Sequence, residues 1–265
     1  MNFNSFFKKI LILKLLQLSF SVYADNKEIK LVTLEWEPYV GPNLKKQGFV
    51  SELIRTALKK EGYTLKLEFM PWARALEQAE KSIDGVDGIM PKYYDKSILD
   101  KFIYSDSFFE STDGFYIKKS DKNKINYKYY KNDLNKTYDL LKIFKFGICR
   151  GYKNEDIFDS RNDLVKIDST SDELNLINLV LGKVDLVFTD KSVAKFHIRN
   201  NQTLVDNLNN LEFLEPEIAK HQLFIAFSKK SKDIELKVKA FNKGLKSLIK
   251  EGKIKILKKD FDDFK

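Results

Sequence analysis

A single cysteine, Cys149, excludes an intramolecular disulfide framework for this chain. It sits in the apolar stretch FKFGIC, which predicts a buried thiol rather than a nucleophile. Histidine is almost as scarce. His197 and His221 are the only two, and neither has a Cys or His partner at metal-ligand spacing. No glycine-rich phosphate loop and no Ser-His-Asp set can be assembled from the sequence, so no metal and no cofactor are expected. Charge is present but lacks a pattern. Lys and Arg number 47 against 38 Asp and Glu, yet lysine is spread over every segment and often stands beside an acid. A nucleic-acid binder concentrates its cations in a stripe or patch; this is the signature of a solvated lysine-rich surface, with no nucleic-acid partner.

Long hydrophobic runs are missing as well. The one notable run, residues 10–20, follows Lys8 and Lys9, is interrupted by Lys14, and is short for a bilayer span. With Ser21-Val22-Tyr23-Ala24 behind it, the pattern predicts a secretory signal peptide, residues 1–24, cleaved after Ala24. No cysteine near that point offers a lipid anchor. Removing the three leader lysines from the 47 basic residues leaves the mature chain at +6.

The remainder reads as one unit used twice. EIKLVTLEWEPY through DGVDGIMP gives strand, helix, strand, helix, and a strand entered by Asp87. FKFGICRGY through GKVDLVFTD gives the same order, with Asp185 entering the last strand. Alternating strands and helices predict α/β architecture with parallel sheets and right-handed crossovers. Two units predict two lobes. Periodicity places helices on Val50, Leu53, Ile54, Ala57 and Leu58, and on Trp72, Ala75, Leu76 and Ala79 behind Pro71. Thr170 and Glu173 form a capping-box pattern that starts a helix near Ser171, with Leu174, Ile177 and Leu181 facing inward. A last helix turns Val238, Phe241, Leu245, Leu248 and Ile249 inward.

Between the units, GFYIKKS and the later HQLFIAFSKKS have the same character, and they read as two crossings between the lobes. The predicted division is residues 25–113 with 223–265 in the first lobe and 114–222 in the second, joined by a two-strand hinge that permits closure. The Lys-, Asn- and Tyr-rich residues 121–136 read as a surface loop on the second lobe rather than an RNA-binding patch.

In open parallel sheets, ligands bind beyond the carboxyl ends of the strands. Those ends carry Trp36, Tyr39, Trp72, Arg74, Met90 and Tyr93 in the first unit, and Arg150, Tyr152, Thr170 and Asp190 in the second. Flat walls with a few directional groups suit a binding cleft. Structural alternatives stand beside these roles. Trp36 and Tyr39 could cover a rim, and Trp72 could belong to the core. Asp190 could cap the next helix instead of meeting a ligand amine. Arg74 lies in a first helical turn, where the backbone dipole disfavours a cation, and Arg150 precedes Gly151, where backbone can approach a ligand.

Several pieces together resemble the extracellular solute-binding proteins of family 3, the periplasmic receptors of polar amino acid ABC importers. They are W-x-P-Y at 36–39, P-W-x-R-A at 71–75, V-D-G at 86–88, Y-S-D-S-F at 104–108, G-I-C-R-G-Y at 147–152 and A-F-S-K at 226–229. The match is nearest to the subgroup with the P-W-x-R-A helix start. The resemblance implies a type II-like periplasmic-binding-protein fold, in which first-lobe aromatics flank a small polar solute and the Asp190 position meets an amino group. It further implies a periplasmic monomer that hands its solute to a permease in the inner membrane. There is one departure. Such proteins usually carry an arginine before the turn that here reads YDKSILD (94–100). Lys96 supplies charge there without the planar guanidinium fork, with Arg74 and Arg150 as substitutes, and this weakens the case for a standard α-amino acid ligand. The alternatives are a dehydratase-like enzyme on a cyclic acid with Glu37 as base, and a ligand-sensing partner of a membrane protein.

Overall fold

The structure is a computed structural model that describes residues 27–261; the predicted signal peptide lies outside them. Strands β1 (Lys27–Thr33), β2 (Tyr63–Phe69) and β3 (Gly88–Tyr93) come from the first unit, and β6 (Lys145–Cys149), β7 (Val165–Ser169) and β8 (Leu186–Asp190) from the second. β1 pairs in parallel with β2 and β3, and β6 pairs in parallel with β7 and β8. Two ten-residue strands, β5 (Phe109–Lys118) and β10 (Ala219–Ser228), run antiparallel between the halves. The sheet order is β2-β1-β3-β10-β5-β8-β6-β7, with β4 (Phe102–Tyr104) on β10 and β9 (Leu211–Phe213) on β5. The protein thus has the expected two-lobed α/β fold, each lobe built on a parallel trio.

The doubled unit repeats in its hydrogen bonds. Asp87 accepts from the Lys30 N–H and donates its own N–H to the Lys30 carbonyl. Asp185 does the same with Lys145. The aspartate that enters each third strand therefore ties it to the first strand of its own unit.

The helices are α1 (Phe49–Lys60), α2 (Trp72–Lys81), α3 (Leu134–Leu141), α4 (Asp156–Ser160), α5 (Asp172–Val180), α6 (Lys191–Asn200), α7 (Gln202–Val205), α8 (Ile234–Lys250) and α9 (Lys253–Lys259). Val50, Leu53, Ile54, Ala57 and Leu58 of α1 are all fully buried, as their spacing predicts. Burying each larger side chain contributes roughly 1.5–3 kcal/mol. The second lobe is packed around phenylalanines 115, 146, 158 and 188.

Two helix faces differ from expectation. In α5 Leu174 is exposed, as is Leu181 just past its end, whereas Asp172, Asn175, Leu176 and Leu179 are buried. Two of those inward residues are polar and partnered: Asp172 accepts from the Thr189 hydroxyl, and the Asn175 amide reaches the Cys149 sulfur. Inward polar groups of this kind are invisible to a search for apolar periodicity; the Asn175 amide oxygen is buried with no hydrogen-bond partner among the described residues. The cap is Ser171, which accepts from the Leu174 N–H, while Glu173 accepts from Asn201 instead of closing a capping box. In α8, Phe241, Leu245 and Leu248 are buried but Ile249 is 57 % exposed. Residues 121–136 are mostly exposed, as expected of a surface loop, and are anchored by buried Ile125 and by Tyr127, which donates to the Pro216 carbonyl.

Candidate functional site

The carboxyl ends of the two parallel trios face each other, and their loops touch. The Trp72 indole N–H, at the start of α2, donates to the Gly151 carbonyl beyond β6 at 3.1 Å. Pro71 stands at the N-cap of that helix, with φ −54° and ψ 138°, immediately before its first turn. Gly151 takes φ +78°, a left-handed conformation that favours glycine. Tyr152 then packs edge-on against Trp72, with ring centroids 6.1 Å apart.

Between these walls lies a narrow pocket, about 350 Å³ counted out to open solvent, lined by Leu34, Trp36, Trp72, Pro91, Lys92, Tyr93, Tyr152 and Lys153. Four aromatic rings and two lysines make it apolar-walled and cationic. Lys153 is spoken for, because its ammonium pairs with Asp156 at 2.5 Å. Lys92 is not. Only 4 % of it is exposed, its ammonium lies 5.9 Å from the Trp72 ring centroid, and no described residue gives it a hydrogen bond or an ion pair. Burial accordingly pushes its pKa down, with Asp95 opposing the shift at longer range. An ammonium in that position has donors open to an anion.

Beside the pocket lies a wider cleft, about 1410 Å³ counted out to open solvent, that shares Leu34, Trp72 and Tyr152 with it. Its polar lining includes Glu35, Glu37, Asp172, Glu173 and His197, and no lysine or arginine. Burial raises the Glu37 carboxyl, and Glu35 and Glu173 add like-charge repulsion. Burial holds the His197 imidazole below its ordinary value, so it favours the neutral form.

Behind the cavity, two buried aspartates face each other in register, Asp113 on β5 and Asp190 at the end of β8. Asp190 accepts from the Ser192 and Val193 N–H groups, capping α6, from the Thr112 N–H, and from the Tyr39 hydroxyl. Asp113 accepts from the Tyr93 hydroxyl, and Tyr93 stacks on His221 at 4.4 Å. Burial lifts both carboxyls, that of Asp190 to about 6.

The structure thus gathers Trp36, Trp72, Tyr93 and Tyr152 on the cavity and Thr170 on the cleft. Tyr39 is buried behind them on Asp190. Met90 is wholly buried in the first-lobe core and lines neither space. Arg74 is exposed and lines neither; two residues past Trp72 it lies about 200° round the helix, away from the wall that Trp72 occupies. Arg150 is also turned out, its side chain 67 % exposed and 3.9 Å from Asp168. Asp190 is a helix cap whose oxygens are taken. Lys96 lines neither space, whereas Lys92, four residues earlier, does. Lys92 was the residue missed: in a chain so rich in lysine, nothing local distinguishes a buried one except its place between Met90 and Tyr93 at a strand end.

No protein-family profile and no curated protein matches the sequence. Solved structures do match over nearly the whole chain. ArgBP from T. maritima, as a mutant, aligns with a TM-score of 0.70 at 17% identity, covering 89% of this chain and 96% of that one. The ligand-binding core of GluR0 from Nostoc punctiforme, in complex with (L)-glutamate, aligns at 0.70 and 18% identity, covering 89% and 99%. A histidine kinase sensor domain with similarity to periplasmic binding proteins aligns at 0.71 and 17%, covering 90% and 97%. At such identity the likeness establishes the two-lobed binding-protein fold.

Proposed function

We propose that this protein is a periplasmic solute-binding receptor that closes on a small polar solute, an amino acid or a related compound, and delivers it to an ABC importer in the inner membrane. The observation that carries the reading is Lys92: a buried ammonium without an ionic partner, set in a cavity walled by Trp36, Trp72, Tyr93 and Tyr152. Such a group costs stability in the empty protein and is accounted for by a ligand anion. The resemblance of the sequence to solute-binding proteins of family 3, with its P-W-x-R-A helix start, supports the same reading. So do the amino-acid-binding proteins among its structural neighbours. The reading assigns residues 25–113 and 223–265 to one lobe and 114–222 to the other, with closure about the β5 and β10 crossings.

Thermal melting with amino acids, amines and small organic acids added singly tests it. A solute at a hundred times its Kd adds about 2.7 kcal/mol, a clear rise in Tm. No rise with any of them would remove the receptor reading.

One observation favours a second reading. Glu37 lines the cleft with its carboxyl raised by burial, which moves a general base toward neutral working pH. One structural neighbour is an ancestral amino acid-binding protein described as a precursor of cyclohexadienyl dehydratase. Turnover of a prephenate-like cyclic acid, abolished in Glu37→Gln, would establish a dehydratase; absence of turnover leaves the receptor.

A further inference from the structure

We infer that the solute this cleft accepts is dipolar, with a carboxylate at Lys92 and a separate cationic group in the adjoining acidic cleft, and that it needs no α-amino group. The inference deepens the receptor reading and rests on it.

Three observations carry it. The first is Lys92 itself, 4 % exposed and lining the cavity, its ammonium 5.9 Å from the Trp72 ring centroid, with Asp95 and Lys153 acting on it only through their charges. A compact ammonium with open donors selects an oxyanion. The second is the charge of the space next to it. Glu35 and Glu37 approach from one wall and Asp172 and Glu173 from the other, with no lysine or arginine among the lining residues. Glu37 and Glu173 repel each other across the gap. A ligand cation between them removes that repulsion, and Trp72 and Tyr152, which line both spaces, give its stem an aromatic wall. The third is Asp190. Its two oxygens take hydrogen bonds from Tyr39, Thr112, Ser192 and Val193, so an α-ammonium would have to displace a donor to reach them. Charge recognition therefore sits at the two ends of the solute and not at adjacent atoms.

Calorimetric titration of the purified protein with ω-amino acids from 4-aminobutanoate to 6-aminohexanoate tests this beside L-lysine, hexanoate, hexylamine, adipate and cadaverine. At least one ω-amino acid should bind, within about three-fold of L-lysine. Hexanoate and hexylamine should bind about ten-fold more weakly, for loss of one charge-assisted contact. Lys92→Met should reduce the ω-amino acid to the level of hexylamine. Glu37→Gln with Glu173→Gln should reduce it to that of hexanoate. Tightest binding of adipate or cadaverine would overturn the dipolar solute and keep the receptor. Binding of L-lysine with every ω-amino acid silent would do the same, since the α-amine would then be required. Failure of every compound to bind would overturn both.

Discussion

The hydroxyl of Tyr39 lies 3.2 and 3.1 Å from the two carboxylate oxygens of Asp190, a hydrogen bond between residues 151 positions apart in sequence. Tyr39 belongs to the first strand–helix unit and Asp190 to the second, so this bond clasps the halves behind the cavity. A buried carboxylate that loses a donor keeps its desolvation cost. Tyr39→Phe should therefore cost about 1–2 kcal/mol, read as a lower denaturation midpoint at unchanged m-value. An unchanged midpoint would show that the bond contributes nothing to stability.

Asp190 also makes stability depend on pH. Burial holds its carboxyl at about 6 against an ordinary 3.8, while the hydrogen bonds it accepts oppose that rise. The folded state then binds this proton more tightly than the unfolded chain. The associated stability is fully present below 3.8 and is lost as pH rises through about 6. Relative to Asp190→Asn, whose amide can still cap α6, the natural protein should gain Tm as pH falls from 7 to 4. Asp113 faces Asp190 across the strand pair and its carboxyl is raised by burial and by the Asp190 charge, so the difference between the two proteins reports the aspartate pair. Parallel Tm curves over that range would refute the assignment.

Lys92 should trade stability for binding. Its buried ammonium has no ionic partner among the described residues, and Met has similar length without charge. Lys92→Met should therefore raise the stability of the empty protein by about 1 kcal/mol or more, with a Tm higher by a few degrees. It should weaken solute binding at the same time. A lower Tm would mean that the lysine is a structural element of the first lobe.

Gly244 gives a prediction with the opposite sign to helix propensity. Mid-helix glycine to alanine ordinarily gains about 1 kcal/mol. Here α8 crosses α1 so closely that an added Cβ would meet the Ala57 carbonyl oxygen at 2.0 Å. Gly244→Ala should destabilise by about 1–3 kcal/mol, as overpacked cores do. Equilibrium urea unfolding decides it, and a stabilised variant would show that the helices part at little cost.

The parts of this molecule legible in the sequence are those governed by apolar pattern and local chemistry. All five apolar positions of α1 turned inward as their spacing required. Asp87 and Asp185 marked equivalent strands, and each makes the same paired bonds. The face of α5 was not legible, because Asp172 and Asn175 point inward to partners far along the chain. The cleft aromatics were readable as a group at strand ends. Lys92 was not, since its burial is set by neighbours brought together only by folding. Arg74 failed for a simpler reason: a helix turns 100° per residue, and proximity in sequence to Trp72 places it on a different face.

Trp36 and Trp72 are the only two tryptophans in the chain, and both stand on the cavity wall. All of the protein's indole emission therefore originates on the wall where the proposed receptor would meet its solute. The molecule carries its own optical reporter, and arrival and departure can be timed in rapid-mixing experiments without attaching a dye.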